Sequence, residues 1–307
     1  MDNKFYRLAQ GMRLSSLGIG TYLGAMDEAT DGNYEVAIRA GIAGGINVID
    51  TSRNYRGERS ERAIGRAIAG ANRDELVICT KAGYFIDRRG HSLEPDFLEE
   101  NLRKSLLNLA TGRIDIFYLH NPETQLQSGS SGDFYAQIRA AFERCETMAA
   151  RGLIRFYGAA TWDGFRTEKN VMSLHRLVAI AREIGGPSHR FRFVQLPFNL
   201  AMLEAVDGRQ QEDGASLLRA AGELGITVIG SATVYQGRLT KGLPEKLAAQ
   251  FQGLTTDAQR AIQFSRSTPG IAVSLVGMSN PAHVAENLAV KDVPPLTERE
   301  YYRIHGR

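Results

Sequence analysis

The sequence predicts a (β/α)8 barrel, the TIM-barrel fold, preceded by a short β-hairpin, and three observations support this prediction. First, eight short runs rich in apolar and β-branched residues recur along the chain. Second, the segments between them carry apolar residues at helical spacing, as in Leu98, Leu102, Leu106 and Leu109. Third, eight alternating strand and helix units are the number that closes a parallel barrel. We therefore expect residues 1–307 to form a single barrel domain.

The hairpin is predicted from the first residues, FYRLAQGMRLS, in which a glycine separates two short extended pieces. We expect it to close the N-terminal end of the barrel. The last helix is expected near residues 281–290. The eight predicted barrel strands are 16–21 (SLGIGT), 46–50 (INVID), 76–81 (LVICTK), 114–120 (IDIFYLH), 154–160 (IRFYGAA), 191–196 (FRFVQL), 226–231 (ITVIGS) and 271–277 (IAVSLVG).

Two longer irregular segments follow the ends of predicted strands. Residues 125–133 (QLQSGSSGD) come after the fourth strand, and residues 233–244 (TVYQGRLTKGLP) come after the seventh. Active sites in parallel barrels are built from the loops at the carboxyl ends of the strands. These segments are therefore either walls of a ligand site or surface insertions.

Charge and composition exclude several classes of protein. The net charge is +3, from 37 Lys and Arg against 34 Asp and Glu, and the basic residues are interspersed, so no nucleic-acid partner is expected. Cys79 and Cys145 have no disulfide or zinc spacing, and we expect buried thiols and no metal site. No signal peptide and no apolar run of roughly 20 residues is found. We expect a soluble, cytoplasmic protein without a membrane partner.

One glycine motif favours a different fold. The first unit contains GIGTYLG, and Asp50 ends the second strand, where doubly wound dinucleotide-binding folds keep an acidic residue for the ribose. The glycine spacing is G-x-G-x-x-x-G, however, and the residues that follow, AMDEATDGN, are predicted to form a loop. Those folds bind phosphate at a helix that starts directly at the glycines. Eight units also exceed the six strands of such a domain, so the barrel is preferred.

Four side chains with acid–base chemistry lie at the predicted strand ends on one rim of the barrel. Asp50 closes the second strand, Tyr55 lies in the loop after it, Lys81 closes the third strand and His120 closes the fourth. Each alone has an ordinary structural explanation, as a turn cap, a surface ring, a solvated cation or a buried histidine. Together they supply the parts of a proton-transfer site.

With these residues the chain resembles the aldo-keto reductase family over nearly its whole length. The motifs concerned are GIGT, GINVIDTSRNY, ICTK, DIFYLHNP, GLIRFYGAA, VQLPFN and GMSNPAHVAENL. The resemblance implies an NAD(P)(H)-dependent oxidoreductase that transfers hydride between nicotinamide and a carbonyl or alcohol. Its catalytic tetrad is expected at Asp50, Tyr55, Lys81 and His120.

The resemblance also implies a role for each member of the tetrad. Tyr55 is expected to be the general acid or base, and a phenol needs help because its ordinary pKa is about 10. Lys81 is expected to stabilise the phenolate, and Asp50 is expected to hold the ammonium in place. His120 is expected to orient the carbonyl oxygen.

A nicotinamide cofactor is implied along the barrel mouth, with Gln195 holding its carboxamide. The family's Ser-Asn pair after the fifth strand is Ala160 and Thr161 here, and its stacking tyrosine after the seventh strand is missing. The expected cofactor-binding residues are Gly20, Thr21, Tyr22, Asp50, Thr161, Gln195, Ser231, Gly237, Arg238, Gly277, Ser279, His283, Glu286 and Asn287.

The choice between NADP(H) and NAD(H) depends on the adenosine end of this site. The family's Glu-Asn pair for the adenine maps to Glu286 and Asn287. Basic residues that would meet a 2′-phosphate are replaced by Gly277 and His283. Ser279 and a following helix N-terminus remain for a phosphate. NADP(H) is expected from its prevalence in the family, and NAD(H) is the alternative.

The expected substrate pocket combines aromatic walls with few charges, which favours a neutral small molecule: an aldehyde, a ketone or a sugar. Trp162 either shapes this pocket or simply packs. Two other functions stay open, an NAD-dependent aldose dehydrogenase and a nicotinamide-binding regulatory or sensor subunit, although the complete tetrad argues against the second. The expected substrate residues are Tyr22, Tyr84, Asn121, Trp162 and Phe198.

Overall fold

The structure of the protein is a computed structural model, which describes residues 4–127, 131–166, 172–211 and 214–305. Ten strands are found in this part of the chain. Two form an antiparallel hairpin and eight form a closed parallel barrel. The strands are β1 Tyr6–Ala9, β2 Met12–Ser15, β3 Leu17–Gly20, β4 Val48–Asp50, β5 Val77–Ala82, β6 Ile114–His120, β7 Ile154–Ala160, β8 Phe191–Pro197, β9 Thr227–Ser231 and β10 Ile271–Gly277.

Helices follow the barrel strands and surround them. None of the helices within the described residues is long and apolar enough to cross a membrane. The α-helices are α1 Glu28–Ala43, α2 Arg59–Ile68, α3 Pro95–Asn108, α4 Ser131–Ala150, α5 Leu174–Gly185, α6 Glu204–Asp207, α7 Leu217–Leu224, α8 Glu245–Ala248, α9 Asp257–Ser267, α10 Pro281–Leu288 and α11 Glu298–His305.

The barrel strands pair in chain order from β3 to β10, and β10 pairs back with β3. Every pairing is parallel, so all eight strands end at the same rim. At that rim, Gly20 lies opposite Asp50, and His120 lies opposite Ala160. The predicted barrel and hairpin are confirmed, and the doubly wound alternative is excluded.

The hairpin turns at Gln10 and Gly11, both of which have positive φ, of 51° and 71°. Two such residues in a row suit the tight turn whose twist matches that of the paired strands. The strand after the turn places Met12 and Leu14 against apolar side chains from the barrel interior, including Val48, Ile116 and others. The hairpin therefore closes the N-terminal end of the barrel, as expected.

Two apolar clusters form the core. One fills the barrel interior, and the larger one lies between the barrel and the helices. All seven residues of β6 are buried because a parallel strand is covered on both faces. Cys79 belongs to the inner cluster and Cys145 to the outer one, and both are free, buried thiols as predicted.

Two helices differ from the sequence prediction. Residues 28–33, expected in a loop, are the first turns of α1, because the Asp27 carboxylate accepts a hydrogen bond from the Thr30 N–H and caps the helix. Helix α11 lies beyond the last predicted helix and places Tyr301 against Phe264 of α9, with ring centroids 5.2 Å apart. The C-terminal segment thus adds a helix to the outer core.

Candidate active site

A buried ion pair lies at the carboxyl end of β4 and β5. Lys81 Nζ is 2.5 Å from Asp50 Oδ1 and 2.8 Å from the Thr51 carbonyl oxygen. Gln195 donates from Nε2 to the other carboxylate oxygen, Oδ2, at 2.7 Å. Both charged side chains are almost fully buried. Asp50 and Lys81 thus lie on adjacent strands, and Gln195 reaches Asp50 from β8 across the barrel mouth.

Burial acts on both charges of this pair. It raises the pKa of Asp50, and the opposing effects of Lys81 and Gln195 do not fully offset it. Burial also lowers the pKa of Lys81, but Asp50 and Tyr55 outweigh this and leave the pKa above its ordinary value. Lys81 is consequently held as an ammonium ion at neutral pH.

Tyr55 lies directly beside this pair. Lys81 Nζ is 5.0 Å from the centre of its ring, and the ring meets Tyr22 and His120 edge-on at 4.9 and 5.8 Å. Burial raises the pKa of Tyr55, and the lowering by Lys81 does not overcome it. Lys81 thus favours the phenolate in the expected direction, while burial keeps Tyr55 a protonated phenol at neutral pH.

His120, at the end of β6, is held on two sides. Its Nδ1 lies 3.1 Å from Ser52 Oγ, and its backbone carbonyl oxygen accepts a hydrogen bond from His91 Nε2 at 2.7 Å. Burial, with Lys81 and His91 nearby, lowers the pKa of His120 well below its ordinary value. The imidazole is therefore neutral at physiological pH.

These side chains open into a cavity of about 820 Å³. Its size is at the upper end of the usual range for ligand pockets, about 300–1,000 Å³. The predicted residues that line it, together with Tyr55 and His120, are Gly20, Thr21, Tyr22, Asp50, Tyr84, Asn121, Thr161, Trp162, Gln195, Ser231, Gly237, Gly277, His283, Glu286 and Asn287.

Apart from the buried Lys81, three predicted site residues do not line this cavity. Phe198 is fully buried, with its ring stacked on Phe264, because the residue after β8 turns into the outer core. The Arg238 guanidinium lies over the ring of Tyr235, 5.0 Å from its centre. Ser279 also lies outside the lining. The structure therefore gives these three positions no direct contact with the cavity.

The buried carboxylate of Glu123 holds the loop after β7 in place through hydrogen bonds. Glu123 Oε1 accepts hydrogen bonds from Thr161 Oγ1 at 2.7 Å and from the N–H groups of Trp162 and Asp163. Thr161 Oγ1 accepts in turn from the Gly164 N–H at 2.6 Å. The Thr161 hydroxyl is thus committed to the loop, although the residue lines the cavity.

The substrate side of the cavity is aromatic. Tyr22 and Trp162 are 56% and 40% exposed at its mouth. Deeper in, the Tyr84 hydroxyl accepts a hydrogen bond from Asn121 Nδ2 at 2.9 Å, and its ring meets His120 edge-on at 5.1 Å. Trp162 therefore contributes to the pocket wall, the first of the two alternatives.

The family model described as "Aldo/keto reductase family" matches residues 16–243. The chain belongs to the aldo/keto reductase family. Members of this family are oxidoreductases. The chain is 25% identical over 306 residues to YqkF of Bacillus subtilis, which is named an uncharacterized oxidoreductase. This similarity covers 91% of this chain and 89% of that protein. It is 28% identical over 174 residues to a D-threo-aldose 1-dehydrogenase of a Pseudomonas species, covering 49% of this chain and 51% of that protein.

Solved structures of other aldo/keto reductases share the fold. One from Klebsiella pneumoniae, in complex with NADP and acetate, has a TM-score of 0.75 and 22% identity, covering 99% of this chain and 94% of that one. The glycerol dehydrogenase of Gluconobacter oxydans has a TM-score of 0.76 and 20% identity, covering 100% of this chain and 95% of that one.

This aldo/keto reductase has cavity residues that the sequence did not single out. Residues 233–244 were left open between a site wall and an insertion, and they form a wall through Thr233, Gln236 and Lys241, among others. The other segment, residues 125–133, lies partly outside the described residues, at 128–130. Ser52, which contacts His120, lies inside the family motif but carries no signal of its own, because only the fold brings the two together.

Proposed function

We propose that the chain is an NADP(H)-dependent carbonyl reductase that also catalyses the reverse alcohol oxidation, with Tyr55 as general acid and base. The observation that carries this proposal is the grouping of Asp50, Tyr55 and His120 on the wall of one large cavity, with the buried Lys81 bonded to Asp50 and facing the ring of Tyr55. A sensor subunit would have no use for a buried ammonium beside a phenol.

Reduction of a carbonyl needs hydride at carbon and a proton at oxygen. The hydride comes from the bound nicotinamide, and the proton is the contribution of this chain. Because burial keeps Tyr55 protonated, its hydroxyl is ready to donate to the developing alkoxide. Lys81 then stabilises the phenolate that forms, since its ammonium lies 5.0 Å from the centre of the ring.

Buried polar atoms that lack hydrogen-bond partners support binding of a dinucleotide in this cavity. Within the described part of the chain, Thr233 Oγ1 and Asn287 Oδ1 are buried and have no hydrogen-bond partner, and both residues line the cavity. Buried polar atoms are normally paired, so these two suit a ligand that supplies partners. Asn287 would hold the adenine, and Lys241, on the same wall, offers a cation to a phosphate.

The preference for NADP(H) is supported by the Klebsiella pneumoniae structure in complex with NADP. NAD(H) is the alternative, because Gly277 and His283 stand where the family places basic residues. Titration of the purified protein with NADPH and with NADH, followed by cofactor fluorescence, decides between them. Tighter binding of NADH would overturn the preference.

The Tyr55→Phe variant tests the proposed role of the hydroxyl. Positioned acid–base groups contribute about 10²–10⁴-fold to rates, so kcat for aldehyde reduction is expected to fall by that factor. NADPH binding should remain, since the ring is kept. The matched control is Tyr302→Phe in α11, outside the cavity lining. Near-normal turnover by Tyr55→Phe would refute the assignment.

An NAD-dependent aldose dehydrogenase is the second candidate function. It is favoured by the similarity of half the chain to a D-threo-aldose 1-dehydrogenase. Assays with NAD and a panel of aldoses, beside NADPH and a panel of aldehydes, separate the two functions. Faster turnover of aldoses with NAD would replace the first proposal by the second.

A further inference from the structure

The turn directly after Tyr55 has a left-handed backbone. Arg56, Gly57 and Glu58 have positive φ values of 51°, 59° and 70°. This region suits glycine but costs free energy for a residue with a Cβ, and such residues persist only where neighbouring contacts hold them. The turn is closed by the Glu58 N–H, which donates to the Arg53 carbonyl oxygen at 3.0 Å. Contacts from elsewhere in the fold are therefore expected to support the turn.

The side chain of Arg56 makes these contacts with helix α1 and with the β3–α1 loop, residues 21–27. The side chain is 1% exposed, and its Nη2 lies 2.5 Å from Asp31 Oδ1. Its Nε donates to the Ala25 carbonyl oxygen at 2.7 Å, and Nη2 also donates to the Asp27 carbonyl oxygen at 3.3 Å. A planar guanidinium bonded at several points has little freedom to move. Arg56 thus joins the turn after β4 to two other segments.

The β3–α1 loop packs against Tyr55. Tyr22 and Leu23 of this loop line the cavity, and the Tyr22 ring meets the Tyr55 ring edge-on at 4.9 Å. The Tyr34 hydroxyl of α1 donates to the Leu23 carbonyl oxygen at 2.6 Å. The Arg56 guanidinium lies 5.3 Å from the centre of the Tyr34 ring. Tyr34 and Arg56 therefore hold in place the loop whose ring contacts Tyr55.

Proton donation depends closely on the position of the Tyr55 hydroxyl. The hydroxyl must come within about 2.6–3.2 Å of the substrate oxygen, and a displacement of about 1 Å can lower a rate by about 10²-fold. Tyr55 lies between the end of β4 and the start of α2, so the contacts of its loop determine where its ring is held.

We propose that Arg56 is a positioning residue, whose guanidinium holds the β3–α1 loop against the turn after β4 and thereby fixes the phenol of Tyr55. This proposal rests on the proposed function, because it concerns the group assigned there as proton donor. It adds a residue that acts on the reaction only through Tyr55.

Arg56→Met tests the role of the guanidinium, because methionine keeps part of the stem and removes the donors. Asp31 keeps a partner in this variant, since Arg59 Nη2 lies 2.8 Å from its Oδ2. The measured quantity is the single-turnover rate of NADPH oxidation at saturating concentration of the aldehyde that the wild-type protein reduces fastest. This rate reports the chemical step without product release. We expect Arg56→Met to lower it by about tenfold to a hundredfold.

The same substitution in a Tyr55→Phe background distinguishes positioning from general damage to the fold. Displacement of a ring that has no hydroxyl cannot impair proton donation, so Arg56→Met should lower the rate by less than about threefold in this background. Partial unfolding or a distorted cavity would lower the rate by the same factor in both backgrounds. Equal losses in the two backgrounds, or no loss when Tyr55 is present, would overturn the proposal.

The matched control is Arg59→Met, which removes another arginine from Asp31. Its side chain is 27% exposed and lies at the start of α2, beyond the turn. This variant should keep the single-turnover rate within about threefold of wild type, and a loss equal to that of Arg56→Met would overturn the proposal.

A milder variant covers the case in which Arg56→Met does not fold, as judged by circular dichroism and NADPH binding. Arg56→Lys keeps the charge but replaces the planar fork by a single ammonium. It is compared in the same two backgrounds, and the same outcomes decide. Near-normal turnover by Tyr55→Phe alone would refute the proposed function, whereas equal losses from the substitution at Arg56 in both backgrounds would overturn only its positioning role.

Discussion

Replacing Lys81 by methionine tests the buried ion pair at the barrel mouth. The ammonium and the Asp50 carboxylate are 2.5 Å apart, and their side chains are 1% and 5% exposed. Methionine keeps most of the side-chain volume but leaves Asp50 with Gln195 as its remaining side-chain partner among the described residues. Removal of one member of a buried pair typically costs about 3–5 kcal/mol. We expect Lys81→Met to lose that much free energy of unfolding at pH 7.

The free energy of unfolding lost in Lys81→Met should depend on pH, and the ionisation of Asp50 determines the direction of that dependence. Burial raises the pKa of Asp50 in the folded chain, and loss of Lys81 removes the main opposing influence. A carboxyl group whose folded pKa exceeds its unfolded pKa binds a proton more readily in the folded state. Ionisation of this carboxyl group therefore destabilises the folded state, and the effect grows as pH rises from the unfolded pKa to the folded pKa. The deficit of Lys81→Met should shrink on acidification below the folded pKa, by up to about 1.4 kcal/mol per pH unit.

Urea unfolding followed by far-UV circular dichroism at pH 7 and pH 5 measures both effects. The matched control is Lys104→Met, whose exposed pair with Glu100 spans 2.6 Å within one helix, and which should change stability by less than about 0.5 kcal/mol. The double variant Asp50→Asn with Lys81→Met should be more stable than Lys81→Met alone, since no buried charge is left. A cost for Lys81→Met no larger than the control, or one independent of pH, would refute the reasoning.

Two further predictions concern packing and acid stability. A Cβ at Gly83 would lie 2.6 Å from the His120 carbonyl oxygen, so Gly83→Ala should lower the free energy of unfolding by about 1–3 kcal/mol and lower kcat. Gly112→Ala, where a Cβ would meet open space, should change neither. Equal urea midpoints for the two variants would contradict this prediction. Three arginines lower the pKa of Glu99 to about 2, so its contribution to stability is lost as pH falls from 4.5 to 2. Glu99→Gln should therefore flatten acid unfolding over that range, by about 1 kcal/mol after solvent screening, and an unchanged acid profile would be evidence against it. The arginines are Arg103, Arg144 and Arg151.

The fold and the rim residues could be predicted because both depend on local pattern. The apolar runs that end at Asp50 and His120 mark strand ends, and in a parallel barrel all such ends share one rim. The turn glycine in the hairpin is equally local, since positive φ at Gly11 favours glycine. Most cavity residues follow from these positions together with the family resemblance.

The remaining features depend on contacts between distant segments, which spacing does not reveal. Glu123 binds Thr161 across 38 residues of sequence, and this contact commits the hydroxyl of a residue that was predicted to bind the cofactor. Phe198 is an aromatic residue just after a strand end, but only the packing of β8 against α9 shows that it faces away from the cavity. The net pKa of Tyr55 needed the depth of burial, a property of the whole fold.

Because the hairpin closes the N-terminal end of the barrel, it affects how ligands enter and leave the cavity. Within the described residues, Met12 and Leu14 pack in the lower end of the barrel, and the cavity that Asp50 lines lies at the upper rim. If a nicotinamide cofactor and a carbonyl substrate both bind in this cavity, as proposed, the one that lies deeper must bind first and leave last. Product-inhibition patterns would therefore show a compulsory order of loading and release.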